Sequence, residues 1–224
     1  MPAAADADAA LRHWAGFLAS VFDARGFAQR LLETPGLLEF ATKLFGFSRF
    51  FSEALIRNPE YLDWLLEQGA LRRPKTLEEY ARDAEAAMAL FEDPERRRDA
   101  LGRFQRKELL RLGARDMLAI GSLSERTAEL SDLAEAIVLA LFRDVRGRLE
   151  RRFGRPKCES DARETAQMGI LAMGKMGGRE LNFSSDIDLI FIYSEEGETE
   201  GTDSGRQGRL SNHVFFSRLG EELI

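Results

Sequence analysis

Two carboxylates, Asp186 and Asp188, stand two residues apart at the head of the run DLIFIY. In an extended chain alternate side chains share a face, and two rises of about 3.3 Å each keep both acids close together. Carboxylates that close repel each other unless a cation lies between them. A hard ion that takes oxygen ligands and substrate phosphates, Mg2+ or Mn2+ in its place, answers that need. Alone, a D-x-D pair is also what the polar start of an edge strand looks like, so its surroundings decide. Upstream, Gly174, Gly177 and Gly178 follow an apolar run directly and lead into Arg179 and Glu180. Glycines let the backbone approach a phosphate, and a turn that opens a helix offers unpaired N–H groups to it. A glycine turn, a short helix and then a strand bearing acid-x-acid would bring a phosphate cradle and a metal site to one end of a sheet.

The elements that must position these groups are legible around them. Gln167 to Met173 (QMGILAM) and Asp188 to Tyr193 (DLIFIY) are apolar runs with Ile, Phe and Tyr, and both read as buried strands. Ile187 and Leu189, which flank the second acid, are expected on the opposite, buried side, holding both acids toward solvent. Glu195 to Gly208, acidic and glycine-rich, reads as a mobile surface loop with Asp203 inside it, and RLSNHVFFSRLGEELI as an amphipathic helix, cut off without a cap.

From about Asp8 to Phe153 the apolar spacing is three and four, so this stretch is expected to be helical throughout. One helix should run from Leu37 through Ile56 and stop before Pro59, and a second, EYLDWLL, should follow. The polar segment from Leu71 to Ala100 reads as an exposed helix between turns. Leu109, Leu110, Leu112, Met117, Leu118 and Ile120 form a stripe to bury, opposite a solvated face of Arg103, Arg106, Lys107, Arg111 and Arg115. Ser122 with Glu125 has capping-box spacing, and Ser131 reads as the cap of a long helix from Asp132 to Phe153. The class is therefore α+β, with a helical region over 1–156 and a different, sheet-bearing region over 157–224.

Composition narrows the function further. The 224 residues are 44% hydrophobic and 31% charged, with a formal net charge of −6, so no globally basic surface for nucleic acid is present. Cys158 stands alone, cannot form an intramolecular disulfide, fits a reducing cytoplasm, and reads as a surface thiol. The N-terminus MPAAADADAALRHW is acidic where a signal peptide would be basic, and no apolar run approaches the roughly 20 residues that cross a bilayer. His13 and His213 are isolated and read as packing or surface residues.

The strand, Gly-Gly turn, helix and D-x-D order resembles the polymerase-beta-type nucleotidyltransferase superfamily. The longer string GKMGGRELNFSSDIDLIFIY resembles the glutamine synthetase adenylyltransferase family, bifunctional enzymes that add AMP to, and remove it from, a tyrosine of glutamine synthetase. FGFSRFFSEALIRNPEYLDWLL, FQRKELLRLGARDMLAIG and ELSDLAEAI are similar to that family's helical lead-in. The resemblance implies that 157–224 opens a mixed nucleotidyltransferase sheet, that Asp186 and Asp188 are catalytic metal ligands, that Gly177 and Gly178 contact phosphate or nucleotide, and that Ser185 contacts phosphate or metal-bound water. Arg179, Glu180 and Asn182 would support them. It also implies glutamine synthetase as protein substrate and a PII-type signal protein as partner. ELNFSSDIDLIF, with Asn182 and Phe183 where the adenylylating domain more often has Gly-Tyr, resembles the deadenylylating domain, which releases ADP by phosphorolysis. The family's third acid comes from a later Tyr-x-x-Asp-x-Arg-Leu-Arg-Pro-like segment that the 224 residues do not contain, so a weak or inactive fragment is expected. The ATP-dependent adenylylating domain and a non-catalytic docking module are the alternatives.

Overall fold

The structure is a computed structural model that describes residues 6–34, 36–66, 69–201 and 208–224. In chain order it contains α1 (Ala7–Ser20), α2 (Ala24–Glu33), α3 (Leu37–Phe47), α4 (Arg49–Arg57), α5 (Glu60–Leu66), α6 (Leu77–Ala89), α7 (Pro94–Met117), α8 (Leu123–Phe153), β1 (Met168–Ala172), α9 (Gly174–Gly177), β2 (Leu189–Tyr193) and α10 (Asn212–Leu223). This is the expected α+β order of a helical region followed by the start of a sheet. The residues pack as two compact units, one of 1–74 with 103–126 and one of 75–102 with 127–224, with divisions between α5 and α6, inside α7 and inside α8.

The first unit buries aromatic and aliphatic residues of α1 to α5 together with Leu110 and Ala114 of α7. Trp14, Phe17, Phe27 and Phe45 meet edge-on or tilted, with Trp14 and Phe45 centroids 4.9 Å apart and Phe17 and Phe27 centroids 5.2 Å apart. His13 serves this packing, its Nδ1 lying 2.7 Å from the Phe45 carbonyl oxygen. The helix expected from Leu37 to Ile56 is two helices. Ser48 is extended, at φ −136° and ψ 112°, and its hydroxyl accepts from the Phe51 N–H, so a serine cap restarts the chain inside an unbroken apolar pattern. The stop before Pro59 and the helix over Glu60–Leu66 are as expected.

The cations of α7 are not a solvated face throughout. Arg111 and Arg115 are each 1% exposed. Arg111 donates from Nε to Glu108 at 2.7 Å and from Nη1 to the Ala70 carbonyl, while Arg115 reaches the Leu71 carbonyl and Glu125. A guanidinium has five donors in a planar fork, so it can be buried where carbonyls and carboxylates surround it, and amphipathic spacing does not reveal that. Leu118, counted in the buried stripe, is exposed.

In the second unit α6 is not simply an exposed helix. Its Thr76–Glu79 capping box starts it, and Tyr80, Ala84 and Met88 are buried. The Tyr80 hydroxyl donates to Glu129 of α8 at 3.1 Å. Ser122 caps α8 as expected by accepting from the Glu125 N–H. Ser131 is not a cap: α8 runs unbroken through it, and its hydroxyl donates to the Thr127 carbonyl at 2.9 Å. The C-terminal half of α8 packs Val145, Leu149 and Phe153 against Phe215, Phe216 and Leu219 of α10, with Cys158 among them. The thiol is thus buried rather than at the surface. Burial and the neighbouring Glu195 carboxylate hold it above its ordinary range.

β1 and β2 pair antiparallel, with Ala172 opposite Leu189 and Met168 opposite Tyr193. Along both strands, covered residues alternate with exposed ones. Leu171, Ile190 and Ile192 are exposed and the other face is only half-buried, so the strands are less buried than expected. The segment after β2 is pinned up to Gly201: Thr199 is buried, Glu198 bridges to Ser211, and the Asn212 amide donates to the Lys157 and Glu195 carbonyls. The rest of the expected loop, Asp203 included, lies outside the described residues. Among the described residues no helix is long and apolar enough to cross a membrane.

Candidate functional site

The Met173 N–H donates to the Asp188 carbonyl at 2.9 Å, so the ladder of β1 and β2 continues one pair beyond the strands and fixes where the second acid leaves the sheet. At Met173 the chain turns into α9. Gly174 takes φ +55°, a left-handed conformation suited to glycine, and a side-chain carbon there would sit 3.7 Å from Asp188 Oδ2. The Asp188 carboxylate therefore lies beside the first residue of the glycine turn. This brings together two features that the sequence placed in separate stretches.

Gly177 and Gly178 sit farther along the turn. Their N–H groups donate to the Met173 and Gly174 carbonyls at 3.1 and 3.0 Å, closing the turn, so these are not free donors for a phosphate. The N–H groups without a helical partner belong by position to the start of α9, where Met173 offers no side-chain cap. Gly177 has a packing reason to be glycine, since a Cβ there would stand 2.4 Å from the Ala172 carbonyl oxygen.

Ahead of the acids, Asn182 builds a tight turn. Its side-chain oxygen accepts from the Ser184 N–H at 3.0 Å and from the Ser185 hydroxyl at 2.9 Å, while Ser185 Oγ accepts from the Asn182 N–H. Ser185 is thus engaged in shaping the approach to Asp186, and Asn182 is its organiser. Both acids are exposed. Ile187 is exposed as well, 41% of its surface being open, rather than buried beside Leu189. Regular strand pairing begins only after it, so the two-residue alternation does not reach back to cover it.

Two connections to α8 were not legible in the motif. Arg179, at φ +57°, is ion-paired with Asp132 and lies 3.8 Å from Glu135. The Leu181 N–H donates to Ser131 Oγ at 3.3 Å. Beneath the covered face of the sheet, Val138, Leu139 and Phe142 of α8 with Met168, Ile170 and Leu189 line a cleft of about 420 Å³.

Among the described residues no group of three or more His, Cys, Asp or Glu is gathered as a metal cage. Two exposed carboxylates with open space before them suit an ion that keeps several waters and takes substrate phosphate oxygens as its remaining ligands, which is how magnesium is commonly held. The donor set fits such an ion and does not suit a soft or fully caged one.

The model of the glutamate-ammonia ligase adenylyltransferase family matches residues 38–224. The chain belongs to this family. Among relatives named bifunctional glutamine synthetase adenylyltransferase/adenylyl-removing enzyme, that of Shewanella loihica is 37% identical over 191 residues, 85% of this chain and 19% of the relative. That of Thioalkalivibrio sulfidiphilus is 35% identical over 216 residues, 96% of this chain and 19% of the relative. That of Burkholderia pseudomallei is 44% identical over 110 residues, 49% of this chain and 11% of the relative. The adenylyltransferase-family chain thus spans about a fifth of the length of the first two. The matched region holds the whole of the glycine turn, the Asn182 turn and the D-x-D pair.

Proposed function

We propose that residues 157–224 open the nucleotidyltransferase domain of an enzyme that removes AMP from a tyrosine of glutamine synthetase. The observation that carries the reading is Asp188 beside Gly174, with Asp186 two residues before it, in a chain whose relatives are named for adding and removing adenylyl groups. In this reading Asp186 and Asp188 hold Mg2+, or Mn2+ in its place, which when bound neutralises charge on the transferring phosphate. An oxygen of inorganic phosphate bonds to the AMP phosphorus as the bond to the tyrosine oxygen breaks, leaving ADP and a tyrosine that takes up a proton.

The chain's own contribution is placement. The ladder bond at Asp188 and the Asn182 turn aim the two carboxylates, and the start of α9 offers backbone N–H groups beside them. The resemblance of ELNFSSDIDLIF to the deadenylylating domain supports removal over addition as the direction. A PII-type signal protein and a cytoplasmic setting complete the proposal.

The test is phosphate-dependent release of ADP from AMP-modified glutamine synthetase by the protein. Asp186→Ala or Asp188→Ala should abolish it, and activity retained in the double variant overturns the assignment. ATP-dependent gain of AMP on glutamine synthetase would instead mark an adenylylating domain. Metal-independent binding without turnover would mark a docking module.

A further inference from the structure

We infer that Arg179 is a positioning residue, whose ion pairs with α8 hold the Asp186–Asp188 segment in register with the glycine turn. This rests on the metal-site reading above. Arg179 occupies φ +57°, a region that L side chains rarely adopt, although Gly178 beside it, at φ −81°, has no need of glycine's freedom. Backbone preference alone would put the glycine at 179. The guanidinium is what the side chain adds there, and it is engaged with Asp132 and Glu135, three residues apart on one face of α8.

Two residues on, the Leu181 N–H is held by Ser131, so consecutive positions of α8 take up both ends of the segment 179–181. From this clamp the structure runs both ways. Backward, the Arg179 N–H donates to the Met176 carbonyl, which ties the clamp to α9 and so to Gly174 beside Asp188. Forward, buried Leu181 leads directly into the Asn182 turn and Asp186. Arg179 lines the cleft on the covered face with Leu189, whereas Asp188 alternates to the other side, so the guanidinium acts on the acids through the backbone rather than at the phosphate.

The experiment compares the full chain with Arg179→Gly, Asp132→Asn and the reversed pair Arg179→Asp/Asp132→Arg. Glycine accepts the left-handed backbone, and aspartate tolerates it, so each variant removes or inverts the clamp without new strain. Three readouts are taken: Mn2+ binding by calorimetry, amide hydrogen exchange over 182–188 without metal, and the melting temperature. Arg179→Gly and Asp132→Asn should each weaken Mn2+ binding about tenfold, the scale of residues that orient ligands. Exchange over 182–188 should rise and melting should fall only slightly, because the Arg179 end of the pair is 51% exposed, although Asp132 is mostly covered, and a partly exposed ion pair contributes little to global stability. The reversed pair should restore both binding and protection. Unchanged exchange in Arg179→Gly, or a reversed pair no better than the single variants, overturns the inference. Asp188→Asn separates the two readings: if it binds Mn2+ as well as the parent while Arg179→Gly still loosens 182–188, the clamp stands and the metal assignment falls.

Discussion

Gly177 and Gly178 look interchangeable in the motif, yet the structure predicts opposite outcomes for alanine at each. At Gly177 the added carbon meets the Ala172 carbonyl oxygen at 2.4 Å and its carbon at 3.2 Å. The obstacle is strand backbone paired with Leu189, so it cannot swing aside as a flexible side chain would. α9 must move away by more than half an ångström. Overpacking of this kind costs about 1–3 kcal/mol. Alanine recovers up to roughly 1 kcal/mol of helix propensity, leaving a net loss of up to about 2 kcal/mol. For a chain of this size each kcal/mol lowers the melting temperature by about 2–4 °C, so Gly177→Ala should melt several degrees early. At Gly178 the nearest atom is 3.6 Å away and φ is −81°, so alanine fits and should be neutral or stabilising by about 0.4–1 kcal/mol. Thermal melts followed by circular dichroism decide stability, and the phosphate dependence of ADP release decides chemistry. If Gly178 is the point of close approach to phosphate, its alanine variant needs more phosphate while melting normally. Equal melting of the two variants would refute the reasoning, because the close contact at Ala172 would then not constrain the turn.

Three further perturbations probe what supports the site. Arg111→Ala should lower stability by about 3–5 kcal/mol in urea unfolding, since it breaks a buried ion pair with Glu108, and replacing both by Arg111→Met with Glu108→Leu should recover most of the loss. Ser131→Ala removes the acceptor for the buried Leu181 N–H and should cost about 1–2 kcal/mol, with faster exchange at Leu181 as its local signature. The Glu195 carboxyl is held below its ordinary range by the Ser160 hydroxyl and N–H, so its contribution to stability is present above the usual carboxylate pKa and is lost as pH falls through the lowered folded value. Ser160→Ala should move the Glu195 titration upward by NMR, and an unmoved titration would remove Ser160 as the cause.

Helical spacing identified the lead-in and its apolar faces, because periodicity reports burial averaged over several turns. It could not find Ser48, since one extended residue between two helices leaves the apolar pattern intact while its cap bond restarts the chain. Nor could it separate Ser122 from Ser131. Both precede amphipathic runs, and only the packing of Leu181 onto α8 shows that Ser131 serves a neighbouring segment instead of a helix start. The burial of Arg111 and Arg115 is hidden for a related reason: their acceptors at Ala70 and Leu71 are carbonyls more than forty residues away, and a carbonyl carries no mark in the sequence.

The site divides along the same line. The acids and the glycines were legible because their chemistry resides in residue type, and their adjacency followed from one strand pair. What was not legible is which glycine does what, since Gly174 carries the left-handed turn beside Asp188 while Gly177 makes room for a carbonyl. The supporting role expected of Arg179 and Asn182 carries no mark of how it is exercised: one reaches away to α8 and the other folds back on Ser184 and Ser185. Two exposed carboxylates have little packing to aim them. Their orientation must come from the backbone before and after them, and the polar residues Arg179, Asn182 and Ser185 are bonded within that backbone or to α8.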